Sequence, residues 1–240
     1  MSLFKRKKKV FQSKIVVGDA NSKVGSSGYT RLRDNVIYLN ATDNYKVFQI
    51  ESSLPHESKT TLVGNLAVSL GFTDKKVLVI DLDLRRPRVH RLFGLSKDTG
   101  IVDYVLKTAT KQDIIKKTKY DNVDVITRGT DISNPSLVLI SDTFKSLMEE
   151  LKSEYDFILI DCAPILQVSD YIHISKVSDG VLFLAAFGIT TKDQVEEAVN
   201  ELKKNDIKIL GCVFTMYDKK KDRSYGYYGK YYSDNYNEEE

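Results

Sequence analysis

The stretch Lys46 to Phe72, KVFQIESSLPHESKTTLVGNLAVSLGF, constrains the fold more than any other. Val47, Phe48 and Ile50 make an apolar strand, a polar turn follows, and Leu62, Leu66, Ala67 and Leu70 recur at the spacing of one helix face. Two later strands are apolar at every position and end in acid. Val77 to Ile80 runs into Asp81 and Asp83, and Phe157 to Ile160 runs into Asp161. Continuous apolar runs belong to strands covered on both faces, as in parallel sheets. Another strand at Gly180 to Ala185, a helix at Lys192 to Asn205 and a last strand at Ile207 to Thr215 continue the alternation. Strands alternating with helices predict one doubly wound, mostly parallel α/β sheet with right-handed crossovers. A chain of 240 residues suits one large α/β domain of this kind, or at most two small ones.

The turn closes on Ser58-Lys59-Thr60 at the start of the helix. In P-loop NTPases, backbone N–H groups at such a place face phosphates, a lysine reaches the β/γ oxygens and a hydroxyl binds Mg²⁺. The general pattern G-x-x-x-x-G-K-[ST] here reads S-L-P-H-E-S-K-T from Ser53 to Thr60, with serines at both glycine positions. The alternative is a polar turn with an ordinary helix cap. Asp81 and Asp83, at i and i+2 of an extended chain, point the same way and suit joint work on Mg²⁺ and a proton. They fall at the carboxyl edge of a sheet, where α/β folds bind ligands. Asp161 closes its strand as a Walker B carboxylate does, organising Mg²⁺ and its waters. A solvated loop entry is the competing reading for each acid taken alone. Three such features on successive strands of one chain favour the nucleotide reading.

The flanks differ from this domain. Residues 1–27 open with Lys5-Arg6-Lys7-Lys8-Lys9 and stay polar, which reads as a solvated arm or as an attraction to an anionic membrane surface. The domain then occupies residues 28–217, with a short helix around Tyr29 to Leu39 leading into the first strand. Shorter helices are expected at Val89 to Phe93, Ile101 to Leu106 and Asp113 to Lys119, a strand at Val123 to Thr127 and a helix at Asp142 to Glu154. From residue 218 to 240 apolar periodicity stops. That tail carries Tyr225, Tyr227, Tyr228, Tyr231, Tyr232 and Tyr236, six of the chain's 14 tyrosines. A sticky low-complexity tail, a base-stacking tail and a phosphorylation substrate compete for it. The terminal Glu238 to Glu240 oppose nucleic acid, as does a net charge of only +3. No run approaches the roughly 20 apolar residues of a membrane span, and no leader is recognisable, so a cytoplasmic protein is expected. Cys162 and Cys212 read as small core residues. His90 and His173 have no metal spacing.

Together SSLPHESKTT, VLVIDLDLRRP, FILIDCAPIL and the tyrosine tail resemble a bacterial tyrosine kinase, the P-loop family that controls capsular and exopolysaccharide synthesis. The resemblance runs from about Tyr29 to the C-terminus. It implies transfer of the γ-phosphoryl of ATP to tail tyrosines, in trans within a ring-shaped oligomer. It also implies activation by a membrane-spanning polysaccharide chain-length regulator, and hence a place at the inner face of the membrane. By this resemblance Ser53, Pro55, His56, Glu57, Ser58, Lys59, Thr60 and Thr61 contact nucleotide. Lys59 neutralises the β/γ-phosphates, and Thr60, Asp83 and Asp161 hold Mg²⁺. Asp81 accepts the tyrosine proton. The family loop normally reads P-G-E-G-K, and His56 and Ser58 replace both glycines. His56 is then either a phosphate donor or a tolerated loop residue. The segment Ser27 to Arg33 keeps only part of the family's ring-closing helix motif. Leu137 follows Asn134-Pro135-Ser136 where an acid is usual, and Thr215 takes the place of an asparagine near adenine.

Two other readings share the fold. One is a nucleotide-binding regulator of the same machinery without transfer activity, motivated by His56 and Ser58. The other is a ParA/MinD-type ATPase, which would normally carry a lysine near Ser53-Leu54 and lack the tyrosine tail.

Overall fold

The computed structural model describes residues 13–17 and 23–216. The chain runs α1 (Lys23–Asp43), β1 (Val47–Ser52), α2 (Lys59–Gly71), β2 (Val77–Asp81), α3 (Val89–Phe93), α4 (Ile101–Val105), α5 (Lys111–Ile114), β3 (Ile115–Lys117), β4 (Val123–Ile126), α6 (Ser136–Ile140), α7 (Asp142–Glu154), β5 (Phe157–Asp161), α8 (Asp170–Ile174), β6 (Gly180–Ala186), α9 (Lys192–Lys204) and β7 (Ile209–Thr215). The strands form one seven-stranded sheet in the order β3-β4-β2-β5-β1-β6-β7. All pairings are parallel except β3 with β4. The expected doubly wound α/β architecture is the observed one.

The pleat sorts the apolar strand residues onto two faces. Val47, Leu78, Ile80, Ile126, Ile158 and Ile160 join the core beneath α4, α6 and α7. Phe48, Ile50, Val77, Val79, Phe157 and Leu159 join the core beneath α1, α2 and α3. Helix α2 is apolar almost all round because the sheet lies on one side and α1 and α3 on the other. Its Leu62, Val63, Leu66, Val68 and Leu70 are buried, each contributing about 1.5–3 kcal/mol. At the far end α9 buries only Ala198 and Leu202, four residues apart, and its Thr191/Gln194 capping box sets where it starts.

Several expectations are corrected. The helix expected over Asp113 to Lys119 is a single turn, α5, followed by the edge strand β3. Ile115 pairs with Ile126 there, and three residues are too few to show a period in sequence. The first helix is longer than Tyr29 to Leu39 and begins at Lys23, inside the segment assigned to the arm. Part of that arm is also packed: the Val16 and Val17 N–H groups donate to Asn65 Oδ1 at 2.7 and 3.1 Å, and Val17 is buried. Asn65 Nδ2 donates back to Lys14 O and Thr61 O. Helices α6 and α8 were not expected. Cys162 is buried, but Cys212 is exposed, because β7 is an edge strand. The basic cluster Lys5 to Lys9 and the tail tyrosines lie outside the described residues. Among the described residues no helix is long and apolar enough to cross a membrane.

Candidate functional site

The sheet order places β1 beside β5 and β5 beside β2, so three strand ends meet at one edge. Ile50 is in register with Asp161, and Asp161 with Asp81. The loop leaving β1 begins at the same edge and ends at Ser58. Its backbone is left-handed at His56 (φ 68°) and at Ser58 (φ 72°). These are the two glycine positions of the family loop, and a Cβ there costs about 1–2 kcal/mol each, whereas Ser53, the first glycine position of the general pattern, has no positive φ.

What holds the strained loop is the residue between them. Glu57 is fully buried; its Oε1 accepts the Leu54 N–H at 2.6 Å and its Oε2 accepts the Ala186 N–H at 3.1 Å. The Thr215 hydroxyl donates to the Glu57 carbonyl at 2.9 Å. Buried hydrogen bonds contribute about 0.5–1.5 kcal/mol each, so the three together are of the same order as the strain. The loop is thereby tied to the ends of β6 and β7. From the other side the Ile165 and Leu166 N–H groups donate to Ser52 O and Ser53 O. Ser58 makes no side-chain cap, so the first-turn N–H groups of α2 stay free of one.

Lys59 Nζ donates to Ser52 Oγ at 2.7 Å, and that hydroxyl donates to Leu54 O at 2.9 Å. Thr60 Oγ1 donates to Asp161 Oδ2 at 2.7 Å. The structure thus joins the loop hydroxyl to the strand-end acid. Asp161 Oδ1 is buried without a partner, and so is Asp81 Oδ1. Asp81 Oδ2 accepts the Arg88 and Val89 N–H groups at 3.1 and 3.0 Å, which starts α3. Asp83 behaves differently from Asp81. It lies past the end of β2, is partly exposed, and accepts the Arg86 N–H at 2.9 Å.

Burial pushes Asp161 up to about 6, with the Asp83 charge adding and the Thr60 hydrogen bond and Lys59 opposing. Burial, then the Asp161 charge, holds Asp81 well above the usual carboxylate range. Glu51, fully buried with Oε2 unpartnered, is pushed up to about 8 by burial. Against these three buried acids stand the charges of Lys59 and, at Asp161, Arg88. Among the described residues no three His, Cys, Asp or Glu form a metal cage. Mg²⁺ is held by one or two carboxylates plus waters and phosphate oxygens. The orphaned oxygens beside the Thr60 hydroxyl fit such an ion.

Above these acids opens a cavity of about 1580 Å³. Pro55, His56, Glu57, Ser58, Lys59, Thr60 and Thr61 line it together with Asp83. Ser53, Asp81 and Asp161 are buried behind the loop and do not line it. Sequence reading missed the opposite wall, made by Tyr29, Leu32, Ile189, Val213 and Phe214. Phe214 on β7 is 70% exposed, so its role as a wall carries no core-like signal. Nucleotide sites are commonly apolar clefts with a few fixed polar groups, and this one has that balance.

A family profile described as an AAA domain matches residues 57–210. The tyrosine-protein kinase YwqD of Bacillus subtilis (strain 168) is 32% identical over 95% of this chain and 97% of its own length. The putative tyrosine-protein kinase CapB of Staphylococcus aureus is 32% identical over 92% of this chain and 97% of its own. The crystal structure of the chimerical protein CapA2B2 superposes with a TM-score of 0.79 at 29% identity, covering 83% of this chain and 88% of that one. Similarity of this extent makes the chain a member of the bacterial tyrosine-kinase family.

Proposed function

We propose that this chain is an ATP- and Mg²⁺-dependent protein-tyrosine kinase whose substrates include its own tail. The observation that supports this most is the loop backbone. His56 and Ser58 keep the glycine-type conformation, so the loop retains the shape of a phosphate cradle despite its side chains. Bound Mg-ATP would supply the phosphoryl group and draw charge from its β- and γ-oxygens.

The chain's own residues then have separate tasks. Lys59 exchanges Ser52 Oγ for phosphate oxygens. Thr60 and Asp161 would hold the ion, with Asp81 in register beside Asp161 on the neighbouring strand. Asp83, the acid with access to the cavity, takes the phenol proton as the tyrosine oxygen bonds phosphorus and the bond to ADP breaks. That moves the base role from Asp81, which has no exposed surface and a committed oxygen. Acceptors are Tyr225, Tyr227, Tyr228, Tyr231, Tyr232 and Tyr236. On the family resemblance, the setting is surface-polysaccharide production at the inner face of the membrane. There the chain forms a homo-oligomer with in-trans tail docking, activated by a membrane-spanning chain-length regulator.

Incubation with ATP and Mg²⁺ should label the tail on an anti-phosphotyrosine blot. Lys59→Met should remove the label, and labelling that persists in that variant would overturn the assignment. A second reading rests on the same two residues: the Cβ atoms of His56 and Ser58 permit binding but not transfer. Calorimetric ATP binding with no tail phosphate would favour that reading.

A further inference from the structure

Arg85, Arg86 and Arg88 follow Asp83 along the rim of the cavity. Arg85 is engaged: its Nε lies 3.3 Å from Asp170, a buried carboxylate that also accepts the Ser136 hydroxyl. Arg86 and Arg88 are exposed, and among the described residues neither guanidinium has a hydrogen bond or an ion pair. Their backbones are nonetheless fixed, because the Arg86 N–H is held by Asp83 and the Arg88 N–H by Asp81. Arg86 and Arg88, neither of them hydrogen-bonded though the Arg88 charge also reaches Asp161, are guanidinium forks on a fixed rim that fit carboxylates, which such forks bind in bidentate geometry.

The chain itself carries a matching group. Thr215 and Met216, the last described residues, line the same cavity, and residues 217–240 continue from there. In that sequence five of the tyrosines fall into two charge settings. Tyr225, Tyr227 and Tyr228 lie between Lys219-Lys220-Lys221, Arg223 and Lys230. Tyr232 is followed two places on by Asp234, and Tyr236 two to four places on by Glu238, Glu239 and Glu240. A residue two places on lies about 7 Å along an extended chain. That is within the sweep of an arginine rooted next to Asp83.

We propose that Arg86 and Arg88 dock the carboxylates that follow a substrate tyrosine, so that Tyr236, then Tyr232, are preferred over Tyr225, Tyr227 and Tyr228. The order of modification rests on the kinase reading; the docking does not. The test uses the full chain with Glu238, Glu239 and Glu240 changed to Gln, to remove its own competing carboxylates. Fluorescence anisotropy compares the labelled peptide of residues 233–240, SDNYNEEE, with SDNYNQQQ and SDNYNKKK. The acidic peptide should bind about five- to tenfold more tightly than the glutamine peptide, the size of one or two partly exposed charge pairs. In Arg86→Glu/Arg88→Glu the order should invert in favour of SDNYNKKK, which a merely unfolded variant would not show.

Equal affinities for all three peptides would overturn the proposal. So would a double variant that loses ATP affinity while keeping the acidic preference, because the arginines would then serve the nucleotide. Phosphate transfer to the peptides is scored separately. Equal labelling of the acidic and glutamine peptides leaves a kinase without this selectivity and sinks the proposal. Arginine-dependent binding with no labelling upholds the docking and removes the kinase reading.

Discussion

His56 and Ser58 occupy backbone conformations that glycine adopts without strain, and the consequence is testable at either position. Ser58→Gly releases about 1–2 kcal/mol of left-handed strain but adds unfolded-state freedom worth about 0.4–1 kcal/mol. We expect a net gain of roughly 0.5–1 kcal/mol in urea unfolding, and tighter ATP binding by calorimetry, because bare backbone approaches phosphate more closely. A loss of ATP affinity would instead show that the serine hydroxyl contacts the ligand. Glu51 sets a pH dependence. Its folded value of about 8 lies above the ordinary carboxylate value, so the protonated form favours the folded state. That contribution is complete below the unfolded value and is lost as pH rises through about 8. Between pH 6.5 and 8.5 the protein should lose about 2 kcal/mol that Glu51→Gln does not lose. Parallel stability curves for the two proteins would disprove this. Lys59 and Thr60 stood out in the sequence through their local spacing and Asp161 through its place at the end of an apolar strand, whereas the 2.7 Å contact between Thr60 and Asp161 depends on strand neighbours that no local pattern encodes. Glu57 was legible only as a contact; its work in clamping the loop depends on Ala186 and Thr215, which are remote in sequence.

At the level of elements, the strands with unbroken apolar runs and the capped helices α7 and α9 were readable from the chain. The three-residue β3 and five-residue α6 and α8 were not, since pairing and packing create them rather than periodicity. The docked segment Ser13 to Val17 was equally hidden, because an asparagine in the middle of an apolar helix looks neutral until its partners are known. Asn65 spends its amide on four backbone groups across two segments. Asn65→Ala should therefore cost about 1–3 kcal/mol. It should also expose the chain near residues 13–17 to limited proteolysis while leaving β1 and α2 protected. Unchanged cleavage would mean the apolar contacts of Ile15 and Val17 suffice to hold the segment.

For the whole molecule, the site joins the ends of β1, β2, β5, β6 and β7, so a ligand that fills it should stabilise the entire sheet. Mg-ATP at about 100 times its dissociation constant adds about 2.7 kcal/mol, or roughly 5–10 °C in Tm for a chain of this size. Chelation of Mg²⁺ should remove most of the shift, and a chelation-insensitive shift would contradict a metal-assisted site. The doubly wound order was foreseeable from alternating strands and helices, but the spatial neighbourhood β2-β5-β1 was not, since no local pattern encodes which strand lies beside which. That neighbourhood carries a further consequence. Asp81 and Asp161 stand opposite each other in one hydrogen-bonded ladder. Removing a single residue from Phe157–Ile160 would turn Asp161 toward the other side of the sheet, whereas lengthening a surface connection would leave both acids in place. The acidic edge of the sheet is therefore tolerant of change in the length of its loops and intolerant of change in the parity of its strands.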